Sequence, residues 1–154
     1  MHPPISEYLK SEKLKFVAVV KTFIDEQIKV YKSLSPEYAE LLTQLESYLL
    51  HGGKLHRPTL ALLGYRIAGG EVNPQVIKAA CSLELMHRYI LIHDDVIDRD
   101  FFRHGKPTME KIYQDKFSEL YPKKIDNMYS KGVAIVAGDI VNALTYELLG
   151  SSGL

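Results

Sequence analysis

The sequence predicts an all-α helical bundle, with residues 1–154 forming a single domain. Three observations carry that expectation. Apolar residues recur at three- and four-residue steps through most of the chain, prolines and glycines cut that pattern into helix-sized units, and no convincing period-two alternation marks a strand. With 154 residues, 46% of them hydrophobic, the chain is large enough to bury a real core.

In chain order, Phe16, Val20, Phe23, Ile24, Gln27 and Tyr31 make the first stripe, with a single polar interruption. Ser35-Pro36 reads as an N-cap followed by a first-turn proline, and Tyr38, Leu41, Leu42, Leu45, Tyr48 and Leu49 continue on one face until Gly52-Gly53. A third unit runs from about Pro58 to Gly69-Gly70. Asn73-Pro74 opens a fourth, which runs through "AACSLELMHRYILIHDDVID"; being apolar almost all round, it belongs in the middle of the fold. "FRHGKPT" reads as a loop with Thr108 capping the next helix. A Lys-rich polar connection, roughly Gln114 to Lys131, open to helix over part of its length, leads to a last helix, Gly132 to Leu149, with Val133, Val136, Ile140, Val141, Leu144 and Leu148 on one side.

Composition excludes several classes. Lys+Arg and Asp+Glu both number 19, so no global field recruits nucleic acid or an anionic membrane. The single cysteine, Cys81, fits a reducing compartment. The N-terminus has no apolar signal core, and "GVAIVAGDIVNAL", the longest apolar run, is interrupted by Asp139. The expectation is a cytoplasmic protein without a transmembrane segment.

"YILIHDDVIDRD" is the stretch that demands a chemical reason. On a helix Asp94 and Asp98 lie one turn apart on the same face, with Asp95 flanking them. Two unit charges about 6 Å apart repel by roughly 3 kcal/mol at an effective dielectric near 20. A hard divalent cation relieves that strain. Mg²⁺ takes oxygen ligands and typically uses one or two carboxylates with substrate phosphates, whereas a set without cysteine argues against zinc. Acids at the mouth of a greasy helix suit a ligand with a diphosphate head and a hydrocarbon tail. The bland use of the same residues is a solvated helix end where Asp98, Arg99, Asp100 and Arg103 pair locally. Lys54 and Arg57 in "HGGKLHRP", and Arg103 after the acids, are cations suited to phosphate oxygens, although Lys54 and Arg57 equally suit a helix cap with surface charges. His87 shares the face of Asp94; a core hydrogen-bonding histidine is the alternative.

"GGKLHRP", "ELMHRYILIHDDVIDRDFFRHGKPT" and "GVAIVAGDIVNALTYELL", in that order, resemble the N-terminal half of the trans-isoprenyl diphosphate synthases, the polyprenyl synthetases. The resemblance covers about Leu49 to Leu149. It implies the isoprenoid-synthase type of helical bundle and Mg²⁺-dependent condensation of an allylic diphosphate with isopentenyl diphosphate. By position, Asp94 and Asp98 would ligate Mg²⁺ with Asp95 in support. Arg103 would bind the allylic diphosphate, and Lys54, Arg57 and His87 isopentenyl diphosphate. Tyr89 and Ile90 match positions that limit product length, and a bulky Tyr89 implies a short product of the farnesyl or geranylgeranyl type; core packing is their other use. Asp139 either supports the polar side of the cavity or lies on the surface.

Departures accompany the match. The family's first GGKRLRP arginine is Leu55 here and its leucine is His56, while the second arginine of the R-R-G loop is His104. The second Asp-rich motif of the family has no counterpart. The expectation is therefore a fragment or one part of a split enzyme, working as a homo-oligomer or with a complementary C-terminal chain. The alternative is a non-catalytic binding or regulatory subunit of a heteromeric prenyl synthase.

Overall fold

The computed structural model describes residues 5–51, 53, 55–126 and 128–154. Among them are six helices: α1 (Ile5–Tyr31), α2 (Pro36–Leu50), α3 (His56–Ile67), α4 (Pro74–Asp98), α5 (Met109–Leu120) and α6 (Tyr129–Gly150). One two-stranded ribbon, β1 (Phe102–Arg103) and β2 (Lys106–Pro107), sits between α4 and α5.

The caps read from sequence form as expected. Ser35 accepts the Tyr38 N–H at 3.2 Å and Asn73 Oδ1 accepts the Val76 N–H at 2.9 Å, each followed by a proline whose missing N–H is no loss there. Thr108 caps α5 and also donates its hydroxyl to the Asp100 carbonyl at 2.9 Å, closing the segment between α4 and α5.

Three boundaries differ from the sequence reading. α1 begins at Ile5, well before its apolar stripe, because its first turns dock on α3: Glu12 is buried, pairs with Lys15 at 2.9 Å and lies 3.9 Å from Arg66. The polar connection is helical as far as Leu120, since Met109 and Tyr113 are buried on α5 while Lys111 and Asp115 pair on its wet side. α6 starts at Tyr129 because the Asp126 carboxylate accepts the N–H groups of Tyr129 and Ser130 at 2.9 and 3.2 Å. At 22 residues α6 is long and apolar enough to cross a membrane by length and composition alone. Its Ala134, Ala137, Gly138, Val141, Leu144 and Leu148 are buried, and it packs against α4 and α5 as a core helix.

The core joins Phe16, Val20 and Ile24 of α1 to Leu42 and Leu45 of α2, Leu62 of α3, Leu85 and Ile92 of α4, and the buried face of α6. α4 is the central element, packed on α6, α3, α1 and α5. Its side chains are not buried all round, however. Leu83, Met86, Ile90 and Ile97 are exposed. At 100° per residue these four fall within one narrow arc, and Asp94 and Asp98 continue it. The middle helix thus presents an open apolar stripe ending in two carboxylates. Cys81 is buried on another side of α4, where burial and the neighbouring Glu84 charge push its thiol up to about 12, so it is inert as a nucleophile at neutral pH.

Candidate diphosphate and metal site

The end of α4 breaks a local electrostatic rule. Three aspartates crowd its last two turns, its last turn holds no basic residue, and the carbonyl end of a helix disfavours negative charge. The structure divides the three by their partners and burial. Asp95 is buried and turned inward: Tyr48 donates its hydroxyl to Oδ2 at 2.9 Å, and Arg103 donates from Nε to Oδ1 at 2.6 Å, with Nη2 paired to the same oxygen at 2.6 Å. Burial, and then the Asp95 charge, push the Tyr48 hydroxyl well above its ordinary range, so it remains a donor. The hydrogen bond to Asp95 raises the Arg103 guanidinium further and fixes its charge. Asp94 is half-buried and Asp98 exposed, and among the described residues neither makes a hydrogen bond or an ion pair.

Local backbone chemistry delivers Arg103 to Asp95. Arg99 caps α4 in the left-handed region at φ 60°, and its N–H reaches the Asp95 carbonyl. The chain then reverses through a two-residue hairpin turn, His104-Gly105, with φ of 50° and 74°. Two successive positive φ angles are the type I′ geometry that matches the twist of paired strands.

The second half of the site lies under the loop between α2 and α3. Arg88, buried on α4, donates from Nε to Glu84 Oε1 and from Nη1 to the His51 carbonyl, both at 3.0 Å. Gly53 passes over the guanidinium at φ 75°, where a Cβ would lie 2.5 Å from Nη2. Gly53→Ala is therefore expected to lower stability by roughly 2–3 kcal/mol, combining left-handed strain with displacement of Arg88; urea unfolding measures it, and an unchanged midpoint would refute the close packing. Leu55 is also left-handed, at φ 49°, and its side chain is buried in the core. A cavity of about 80 Å³ beside it is lined by Leu55 itself with His56, Arg57, Glu84, His87, Arg88 and His104. A neighbouring cavity of about 120 Å³ is lined by Tyr48, His51, Arg88, Arg103, His104 and Lys106. Arg88 and His104 face both. Desolvation, together with the nearby Arg57, Arg88 and Arg103 charges, lowers the His87 pKa, although Asp94 opposes the shift.

Of the residues singled out from sequence, Arg57 and His87 come together, and Asp94 and Asp98 share the open arc of α4. Arg103 lines the larger cavity while bonded to Asp95. Lys54 lies outside the described residues. Ile90 is exposed, one turn before Asp94, whereas Tyr89 is half-buried with its ring edge-on to His93 at 5.1 Å. Asp139 is exposed, 3.7 Å from His93 Nε2. Sequence reasoning missed Arg88, Glu84 and Tyr48. The signal for the first two was present: an acid and a base one turn apart inside an otherwise apolar helix are a buried pair in waiting.

The all-α bundle with its acid-tipped central helix is of the isoprenoid-synthase type, the fold of the solved synthase it superposes on. The chain belongs to the polyprenyl synthetase family, whose model matches residues 39–153. It is 33% identical to the short chain isoprenyl diphosphate synthase of Methanocaldococcus jannaschii over 80% of this chain and 32% of that one. Identity to the geranylfarnesyl diphosphate synthase of Aeropyrum pernix is 34%, over 84% of this chain and 35% of the relative. The crystal structure of geranylgeranyl pyrophosphate synthase from Corynebacterium glutamicum, complexed with isoprenyl diphosphate and magnesium, superposes with a TM-score of 0.85 at 28% identity. The superposition covers 95% of this chain and 42% of that one. The chain spans about a third of the length of the curated relatives it matches.

Proposed function

We propose that this chain is the portion of a short-chain isoprenyl diphosphate synthase that binds the allylic diphosphate and isopentenyl diphosphate. The observation that carries the reading is the arc of α4: two carboxylates without a protein cation partner among the described residues, one turn apart, at the end of an exposed apolar stripe of Leu83, Met86 and Ile90. A hard cation fits this donor set. Among the described residues no three histidine, cysteine or carboxylate groups converge to hold a metal by themselves, and Mg²⁺ needs only one or two carboxylates when phosphates and water supply the rest.

Asp94 and Asp98 would hold the Mg²⁺, with the diphosphate of the allylic substrate beyond it. When bound, the ion neutralises charge that builds on the departing diphosphate. The stripe from Ile90 back to Leu83 receives the hydrocarbon tail and keeps water from the allylic carbon. Arg57 and His87 hold isopentenyl diphosphate in the smaller cavity, and the resemblance assigns Lys54 to the same diphosphate; the double bond of isopentenyl diphosphate must then face the carbon losing diphosphate. The allylic C–O bond breaks, the double bond attacks that carbon, and a proton leaves to regenerate an allylic product. Arg103 braces Asp95 and presents charge to the larger cavity.

The stripe and the tail would need cover, which another part of a synthase or a second copy of this chain would supply. Calorimetric titration with Mg²⁺ and a thiolo analogue of geranyl diphosphate tests the binding. Binding should require Mg²⁺, and a folded chain that ignores the analogue at millimolar Mg²⁺ would refute the reading. Adding a C-terminal half with the second Asp-rich motif, with labelled isopentenyl diphosphate, tests turnover.

A further inference from the structure

We propose that His93, seated on Gly138, is a positioning residue that sets the direction in which Asp94 and Asp98 point; the inference rests on the Mg²⁺–diphosphate reading of those aspartates. Three observations converge on the seat. His93 Nε2 lies 3.0 Å from the Ile135 carbonyl of α6, and because a carbonyl oxygen only accepts, Nε2 carries the proton. Gly138 is buried against the imidazole: a Cβ there would lie 2.5 Å from Cδ2 and closer still to Nε2. Tyr89 closes the ring from its own helix, edge-on at 5.1 Å, and Asp139 stands 3.7 Å from Nε2 on the outer side.

Helix geometry turns this seat into a pointer. Taking His93 as zero and 100° per residue, Asp94 lies at about 100°, Asp98 at about 140° and Asp95 at about 200°. The two carboxylates, unpaired among the described residues, therefore occupy the arc between two anchors. His93 ties one edge of the arc to α6, and Asp95 ties the other to Tyr48 of α2 and Arg103 of the hairpin. With one anchor removed the last turns of α4 are free to roll, and two carboxylates that must meet one metal–diphosphate group no longer converge. Gly138 is the necessary complement, since any side chain there expels the imidazole.

The test uses the full chain, with Mn²⁺ and inorganic pyrophosphate as the probe read by electron paramagnetic resonance. Hydrogen exchange of the 95–100 amides is a second readout that needs no metal. His93→Ala and Gly138→Ala should each weaken Mn²⁺–pyrophosphate binding by about 10-fold or more, the scale seen when a group that orients a metal ligand is lost. Alanine favours a helix over glycine, so the loss in the second variant does not come from a weakened α6. His93→Gln, whose amide nitrogen reaches the same carbonyl, should recover most of the affinity, a rescue that mere packing would not give. Both weakened variants should keep a cooperative thermal transition and exchange their 95–100 amides about tenfold faster. Wild-type binding and exchange in folded His93→Ala would overturn the proposal. A wild-type chain that does not bind Mn²⁺–pyrophosphate would refute the metal reading instead, and the exchange rates would still judge whether His93 holds the helix end.

Discussion

Replacing Asp94 or Asp98 by alanine is expected to move binding and stability in opposite directions. Mg²⁺-dependent affinity for a diphosphate should fall by at least about 100-fold, because a direct ligand is lost where changes to its surroundings already cost 10–100-fold. The unliganded protein should become slightly more stable. Two carboxylates about 6 Å apart repel by about 0.7 kcal/mol in water and about 3 kcal/mol at an effective dielectric of 20. Asp94 is half-buried and Asp98 exposed, which favours the lower part of that range. Each also sits at the carbonyl end of α4, where removing an acid is favourable by a further ~0.3–1 kcal/mol. Together these amount to about 1–1.7 kcal/mol, a rise in melting temperature of about 2–7 °C. Asp94→Asn should behave similarly without a change of size. Calorimetric titration and a melting curve on the same samples check both halves. Aspartates with no ligand role at this helix end would raise the melting temperature alike and leave diphosphate affinity untouched, and loss of aspartates paired with protein cations would lower the melting temperature. A variant that keeps its Mg²⁺–diphosphate affinity would refute their assignment as ligands.

Legibility in the sequence depended on how local each cause was. The starts of α2 and α4 were legible because Ser35-Pro36 and Asn73-Pro74 carry their own capping chemistry within four residues. The central place of α4 was legible from its apolar character, and the shared face of Asp94 and Asp98 from helical spacing alone. The different fate of Asp95 was not. Spacing puts it on the neighbouring flank, but only the fold brings Tyr48 and the hairpin to it across 47 and eight residues of sequence. The start of α5 was legible from its Thr108 cap, but its extent was not, because its buried side is short, Met109 and Tyr113, while most of its surface is polar. The hairpin was hidden because His104-Gly105 joins strands of two residues each, too short for alternation to register. Leu55 reads as the loss of a cation, yet its side chain is buried in the core and forms an apolar part of the wall of the cavity that Arg57 and the histidines also line.

Arg103→Ala should be the most damaging single change to the fold near the site. It strands Asp95, which is 2% exposed, with the Tyr48 hydroxyl as its remaining hydrogen-bond donor among the described residues. Removing one partner of a buried ion pair costs about 3–5 kcal/mol, chiefly through the uncompensated charge left behind. Arg103 is itself 24% exposed, so water entering the gap brings the expected loss towards 3 kcal/mol, a drop in melting temperature of roughly 6–12 °C. Arg103→Lys should recover little, since an ammonium does not reproduce the paired Nε and Nη2 contacts on one carboxylate oxygen. The double variant Arg103→Ala with Asp95→Asn should be more stable than Arg103→Ala alone, because the amide keeps an acceptor for Tyr48 without the buried charge. That non-additivity is the signature of a coupled pair. An arginine serving only to hold diphosphate would behave otherwise: its removal would weaken binding and leave the melting temperature and the Asp95→Asn background untouched. Thermal unfolding of the four proteins in the cycle, without ligand, separates the two roles, and an unchanged melting temperature in Arg103→Ala would show that Asp95 does not depend on it.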